Sequence, residues 1–210
     1  MKRIAYCILT SVVIISAFLF VLLPAGNVRA DMTDSATYGS GGYGNCSYGS
    51  CTITLTSGGT TNVNVVPNPT GKCTVQSDTA SVLTDNPTGY SLTMTTSTTN
   101  NSMTGTAGSI SSSSATAASP TVLSMNTWGY RVDGLAGFGA GPTSPLSSGS
   151  VPSTTFAKVP PSNLAGTQVA SSSSAANPAA NTTVWYGVCA NSAVTAGTYS
   201  VTVTYTAVTN

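Results

Sequence analysis

The chain has 210 residues, of which eleven are charged: six Lys or Arg and five Asp, for a net charge of +1. It contains no His and no Glu, which excludes Ser-His-Asp and Cys-His catalysis and any histidine metal site. A charge this close to zero gives no basic footprint for nucleic acid, and no nucleic-acid partner is expected.

The elements begin with an address. Met1-Lys2-Arg3 is a short positive region, Ile4 to Leu23 carries no charge, and Ala25-Gly26-Asn27-Val28-Arg29-Ala30 places small residues at the −3 and −1 positions of a cut after Ala30. Residues 1–30 are therefore expected to be a signal peptide. The alternative is a retained anchor helix in which residues 4–23 meet the membrane, because about twenty apolar residues span a bilayer. Either reading puts the body outside the cytoplasm, on the cell surface or released from it. Residues 31–50, rich in Gly, Ser and Tyr, read as a flexible lead-in.

The body, residues 51–210, carries strand patterns and no helical period. Thr52-Ile53-Thr54-Leu55-Thr56 alternates, as does Asn62-Val63-Asn64-Val65. Asn-Pro-Thr-Gly occurs at 68–71 and again at 86–89. In each, Pro sets φ at the second turn position and Gly tolerates positive φ at the exit, so strands should leave at Lys72 and at Tyr90. Val82-Leu83 is expected in a further strand leading into the second turn. Ser97 to Pro120 is a bland Ser, Thr, Ala, Asn and Gly run, expected as a long surface loop or a set of weak edge strands, and residues 160–181 as another bland loop. Trp128, Tyr130 and Val132 alternate. Two strong strands close the chain: Thr183 to Ala190, with Val184, Tyr186 and Val188 on one face, and Thr198 to Val208, with Tyr199, Val201, Val203 and Tyr205 on one face. The short connection through Asn191–Gly197 predicts that these two pair as a hairpin. The fold expected is all-β: an Ig-like antiparallel β-sandwich of about eight strands behind an N-terminal signal or anchor helix.

Four cysteines lie in the exported body: Cys46, Cys51, Cys73 and Cys189. An even number in an oxidising compartment suggests two disulfides, with Cys46–Cys51 as a local loop and Cys73–Cys189 joining an early strand to a late one. Their spacing is poor for zinc, and no metal or cofactor is expected. Asp78, Asp85 and Asp133 form no Asp-x-Asp-x-Asp-Gly loop and suit turn and surface roles. Trp128, Tyr130, Trp185 and Tyr186 are the candidate ligand-binding aromatics; alternating rings in a sandwich otherwise fill the core. Asn100-Asn101-Ser102 and Asn181-Thr182-Thr183 match glycosylation sequons, as chance alone supplies in so Ser/Thr-rich a chain.

Val82 through Thr93, Asn126-Thr127-Trp128-Gly129-Tyr130, Tyr186-Gly187-Val188 and Ala196-Gly197-Thr198-Tyr199 through Ala207 form an ordered set. Together, over residues 50–208, they resemble exported β-sandwich proteins of ultrasmall candidate-phylum bacteria. More distantly, the closing Gly-Thr-Tyr strand is similar to fimbrial and spore-coat sandwich domains. The resemblance implies a cell-surface protein with no catalytic residues to carry over. The sequence departs from wall-anchored relatives: Trp128 is followed by Gly129-Tyr130, not by a Trp-x-Leu signature, and no Leu-Pro-x-Thr-Gly signal ends the chain. Three functions follow as expectations. The first is a non-enzymatic structural or adhesion protein that meets cell-envelope or host-surface components. The second is a carbohydrate-binding module using the four aromatics. The third is a fimbrial-type subunit that self-assembles by strand addition, to which an edge position of the 198–208 strand would lend itself.

Overall fold

A computed structural model describes residues 51–210, apart from 142, 151 and 152, together with the backbone of 27–34. Residues 1–26, Cys46 and the rest of 35–50, and with them most of the expected signal segment and the lead-in, lie outside the described residues. The described chain is all-β, with one 3-10 turn at Ala136–Phe138. In chain order the strands are β1 (Asn27–Asp34), β2 (Ile53–Ser57), β3 (Thr61–Asn64), β4 (Lys72–Thr84), β5 (Tyr90–Thr96), β6 (Met103–Gly105) and β7 (Gly108–Ser112). They continue as β8 (Thr121–Val122), β9 (Thr127–Arg131), β10 (Leu146–Gly149), β11 (Thr155–Phe156), β12 (Thr167–Ser172), β13 (Ala176–Ala190) and β14 (Tyr199–Thr209). This is more than the eight strands expected.

Both Asn-Pro-Thr-Gly segments are the turns that the sequence predicts. Gly71 N–H donates to the Asn68 carbonyl and Gly89 N–H to that of Asn86, each at 3.0 Å. The two glycines have φ of 83° and 86°. Gly89 is further constrained, because a Cβ there would lie 2.0 Å from the Ser172 carbonyl oxygen. β4 and β5 leave the turns at Lys72 and Tyr90 as expected, but Val82-Leu83 belongs to β4 itself, which runs unbroken for 13 residues. The second turn also holds the last residue. Asn86 Nδ2 donates to the Asn210 carbonyl at 3.2 Å, and Asn210 Nδ2 donates to the carbonyls of Thr88 and Ser172.

The strands form two faces over one core. On one side β12, β5, β14, β1 and β3 lie in order, with β6 pairing the start of β14; on the other, β4 is flanked by β13 and by β2 and β10, and β13 by β9. β7 joins the two, pairing β6 antiparallel and β9 parallel. A second parallel pairing, β1 with β14, makes the sheet mixed and corrects the purely antiparallel expectation. Tyr199, Val201, Val203 and Tyr205 from β14 meet Val184, Tyr186 and Val188 from β13 in this core, with Leu92, Met94, Trp128 and Tyr130. Fully burying side chains of this size contributes about 1.5–3 kcal/mol each.

The face of each closing strand is as the alternation predicts; their pairing is not. β13 has β4 on one edge and β9 on the other over Trp185–Cys189, so no edge is left for β14. The chain after Ala190 crosses to the other face instead. Asn191 fixes this crossing: its N–H donates to Asn126 Oδ1 at 3.0 Å, and it bridges Asn68. The bland runs also contain strands. β6 and β7 form within 97–120, each anchored by one buried residue, Met103 and Ile110. β12 and the first part of β13 form within 160–181.

Behind β4, β9 and β13 lies a smaller second core. Cys73 and Cys189 are register partners in β4 and β13 and form a disulfide with a Cα separation of 4.0 Å. Cys189 points away from the main core, as its parity requires, and packs with Val75, Leu123 and Phe156. Phe156 belongs to the small β8–β11 sheet. Its ring lies over Gly187 and its Cβ near Gly129, the register partner of Gly187, and a Cβ on Gly187 would approach the ring to 2.7 Å.

Candidate functional site

Three of the four candidate aromatics are structural. Trp128, Tyr130 and Tyr186 have no exposed surface. Each has a polar partner, which a buried Trp or Tyr needs. Trp128 Nε1 donates to the Asn101 carbonyl at 2.9 Å, and the Tyr130 hydroxyl pairs with Thr167 Oγ1 at 2.9 Å. The Tyr186 and Tyr205 hydroxyls meet at 2.9 Å, joining the two faces through the middle of the core. Burial raises the pKa of all three tyrosines. The four rings therefore do not form a common exposed platform. Trp185, on the opposite side of β13 from Tyr186, is half-buried.

Trp185 lines an open groove of about 610 Å³ together with Asp133, Thr143, Ser171, Asn181 and Thr183. β13 supplies Asn181, Thr183 and Trp185 by its two-residue alternation. Asp133 comes from the loop after β9 and is fixed rather than free. Its carboxylate accepts from the Thr143 N–H at 2.7 Å and hydroxyl at 2.8 Å, and it pairs with Arg131 Nε. Partial burial pushes the Asp133 pKa up, but these donors outweigh it and hold the carboxyl below its usual range. Arg131 is buried, donates also to the Thr155 carbonyl at 3.2 Å, and stacks 5.8 Å from the Phe138 ring centre. The pair thus fastens the 133–143 loop to the β8–β11 flap. What the groove offers is one indole, one carboxylate, one amide and several hydroxyls, a set that can hold a polyol.

The other acids do different work. Asp85 Oδ1 accepts from Thr52 N–H at 2.7 Å, a turn role. Asp78 lies on the inner face of β4 and is 6% exposed. Burial raises its pKa despite hydrogen bonds from the backbone of Thr79 and Gly58, and its Oδ2 has no hydrogen-bond partner. Asn100 and Asn181, the sequon residues, are both exposed. Among the described residues no three His, Cys, Asp or Glu side chains gather into a metal site. Of the cysteines, Cys73 and Cys189 are paired, and Cys51 is disulfide-bonded.

The groove was not legible in the sequence. Asp133 and Thr143 are ten residues apart with Gly and Pro between them, and no spacing rule joins them to Asn181 or Trp185. Only the position of Trp185, out of phase with the core-facing Val184 and Tyr186, marks it as the ring that faces away. No protein-family model matches the chain, and no curated protein matches it.

Proposed function

We propose that the chain is an exported, non-enzymatic surface protein, an immunoglobulin-like β-sandwich that meets cell-envelope or host-surface components. The observation that carries this reading is the buried Cys73–Cys189 bridge between two central strands. Such a bond forms and persists in an oxidising compartment, which agrees with the leader-like first thirty residues. Ser and Thr line the outward positions of β5 and β14, giving a hydrated and nearly uncharged exterior. The test is fractionation of cells expressing the full-length chain, with maleimide labelling of unreduced protein. Exported protein with Cys73 and Cys189 unlabelled is expected; cytoplasmic protein with both thiols reactive would sink the reading.

A second reading, sugar binding, is favoured by the Trp185 groove alone. An aromatic face beside hydrogen-bonding side chains is the usual way to hold a pyranose ring. Trp128 is fully buried, so of the two tryptophans only Trp185 can respond to a bound glycan. A glycan screen read by tryptophan emission should give a hit that Trp185→Ala abolishes. A hit that survives that substitution would place sugar binding elsewhere.

A further inference from the structure

Along one edge β4 changes partner. β13 pairs it from Lys72 to Thr84 on the other edge. On this one β10 meets it only at Cys73 and Val75, and β2 only from Ala80 to Thr84. Gln76 to Thr79 lie in the gap between them, and there a groove of about 360 Å³ opens beside the turn from β2 into β3. The Asp78 carboxylate takes the N–H of Gly58, from the β2 side, and that of Thr79, so Thr79 N–H faces this edge. In an antiparallel strand the N–H and C=O of one residue share an edge, and every second residue repeats it. The Ser77 carbonyl therefore faces the gap, where neither β2 nor β10 reaches it.

Asp78 lines the groove and is 6% exposed. Its Oδ2 has no hydrogen-bond partner, so both backbone donors fall on Oδ1. Gly58 permits that approach, since a Cβ there would collide with Oδ1. A buried carboxylate oxygen left unpaired is costly and calls for a ligand, a water or an ion. The rest of the lining is neutral and polar, with Thr60, Thr61, Asn62, Gln76 and Ser77, and no Lys or Arg among the described residues enters it.

We propose that this groove binds one Ca²⁺ ion, held by Asp78 Oδ2, the Ser77 carbonyl and side-chain oxygens of Thr61, Asn62 and Gln76. The donor set decides the class. It offers oxygen alone, without thiol or imidazole, which selects a hard cation. Calcium accepts about six to eight oxygens in flexible geometry, including amide and backbone carbonyls, with water completing the shell. Magnesium demands a near-ideal octahedron, which donors from a strand and a turn do not offer. The site differs from an acid-rich calcium loop in drawing most of its ligands from neutral groups. A single carboxylate therefore implies weak binding, in the range of about 0.1–1 mM found for extracellular modules. The bound ion ties the 58–62 turn to β4 where the ladder is interrupted.

The test uses the product of the full-length chain, purified without reduction and stripped with EDTA. Calcium chloride is titrated in, with thermal melting and calorimetry as readouts. At tenfold excess over Kd, Tm should rise by about 3–6 °C. Asp78→Asn should abolish both the shift and the binding heat, and Asp133→Asn should leave both in place. Without metal Asp78→Asn should melt above wild type, and calcium should narrow that difference because only wild type responds. Hydrogen exchange on wild type gives a reading that needs no variant: calcium should slow the amides of Gly58 to Asn62 and leave those around Asp133 unchanged. No saturable response up to about 10 mM, ten times the top of the expected range, overturns the proposal. So does a response that Asp78→Asn retains, or protection spread evenly along the chain. An equal response to magnesium chloride overturns the assignment to calcium. None of these outcomes bears on export.

Discussion

Removing the Cys73–Cys189 bridge by a double Cys→Ala change should lower stability by about 3–5 kcal/mol. The cysteines are 116 residues apart, and the chain-entropy relation for a loop of that size gives about 5 kcal/mol at 25 °C. That figure is an upper one, since measured losses for native disulfides run about 2–5 kcal/mol. The two residues are already register partners within a long antiparallel ladder, so the bridge ties strands that backbone pairing has brought together. The Ala pair also withdraws two buried sulfurs from contact with Val75, Leu123 and Phe156, a change in the same direction. For a chain of this length each kcal/mol moves Tm by about 2–4 °C, which predicts a fall of roughly 6–20 °C. Urea melts of wild type and variant under non-reducing conditions measure the difference directly. A loss below about 1 kcal/mol would refute the loop-closure argument, because it would mean that the denatured chain already holds these strands close.

Gly187→Ala should cost about 1–3 kcal/mol in a thermal melt, because its methyl meets the Phe156 ring at 2.7 Å and the core behind cannot yield. Tyr186→Phe should cost about 1–2 kcal/mol, by withdrawing the partner of the buried Tyr205 hydroxyl, while the all-β circular dichroism spectrum stays unchanged. For Asp78 the folded-state pKa is raised above the unfolded value of 3.8, so the folded state holds the proton more tightly and stability falls as pH rises through that window. Asp78→Asn should therefore raise Tm at pH 7 and change little at pH 3; equal effects at both pH values would contradict the burial explanation. Asp133 has the opposite sign. Its depressed pKa gives a contribution present above the unfolded pKa and lost as pH falls, so Asp133→Asn should flatten the acid limb of the pH–Tm curve.

Local chemistry was readable in the sequence, and partnership was not. The two Asn-Pro-Thr-Gly turns, the strand starts at Lys72 and Tyr90, and the inward faces of β13 and β14 follow from φ preferences and two-residue alternation, which act within a few residues. The Cys73–Cys189 pairing was legible because Cys46 and Cys51 are close enough to satisfy each other. The partner of β14 was not, because a short connection favours a hairpin only where the preceding strand has a free edge. β4 and β9, from far away in the chain, occupy both edges of β13. β6 and β7 could be read only as loop or weak edge strands, and β12 only as loop, because each carries a single deeply buried apolar residue, Met103, Ile110 or Val169, and one residue makes no period. The Trp185 groove depends on loops that meet only in the fold.

The glycine pair beneath Phe156 has a kinetic consequence. Because residues 129 and 187 carry no side chains, Phe156 settles directly on the sheet and packs with Leu123 and both cysteines, leaving Cys73 at 3% exposure and Cys189 at none. A reducing thiolate must approach a sulfur along the S–S axis, so it has no line of attack while the β8–β11 flap is shut. Reduction then proceeds through local opening, and its rate should stop rising with dithiothreitol once exchange outpaces reclosure. That plateau is the opening rate of the β8–β11 segment, which makes the disulfide a built-in clock for the outer side of the sheet.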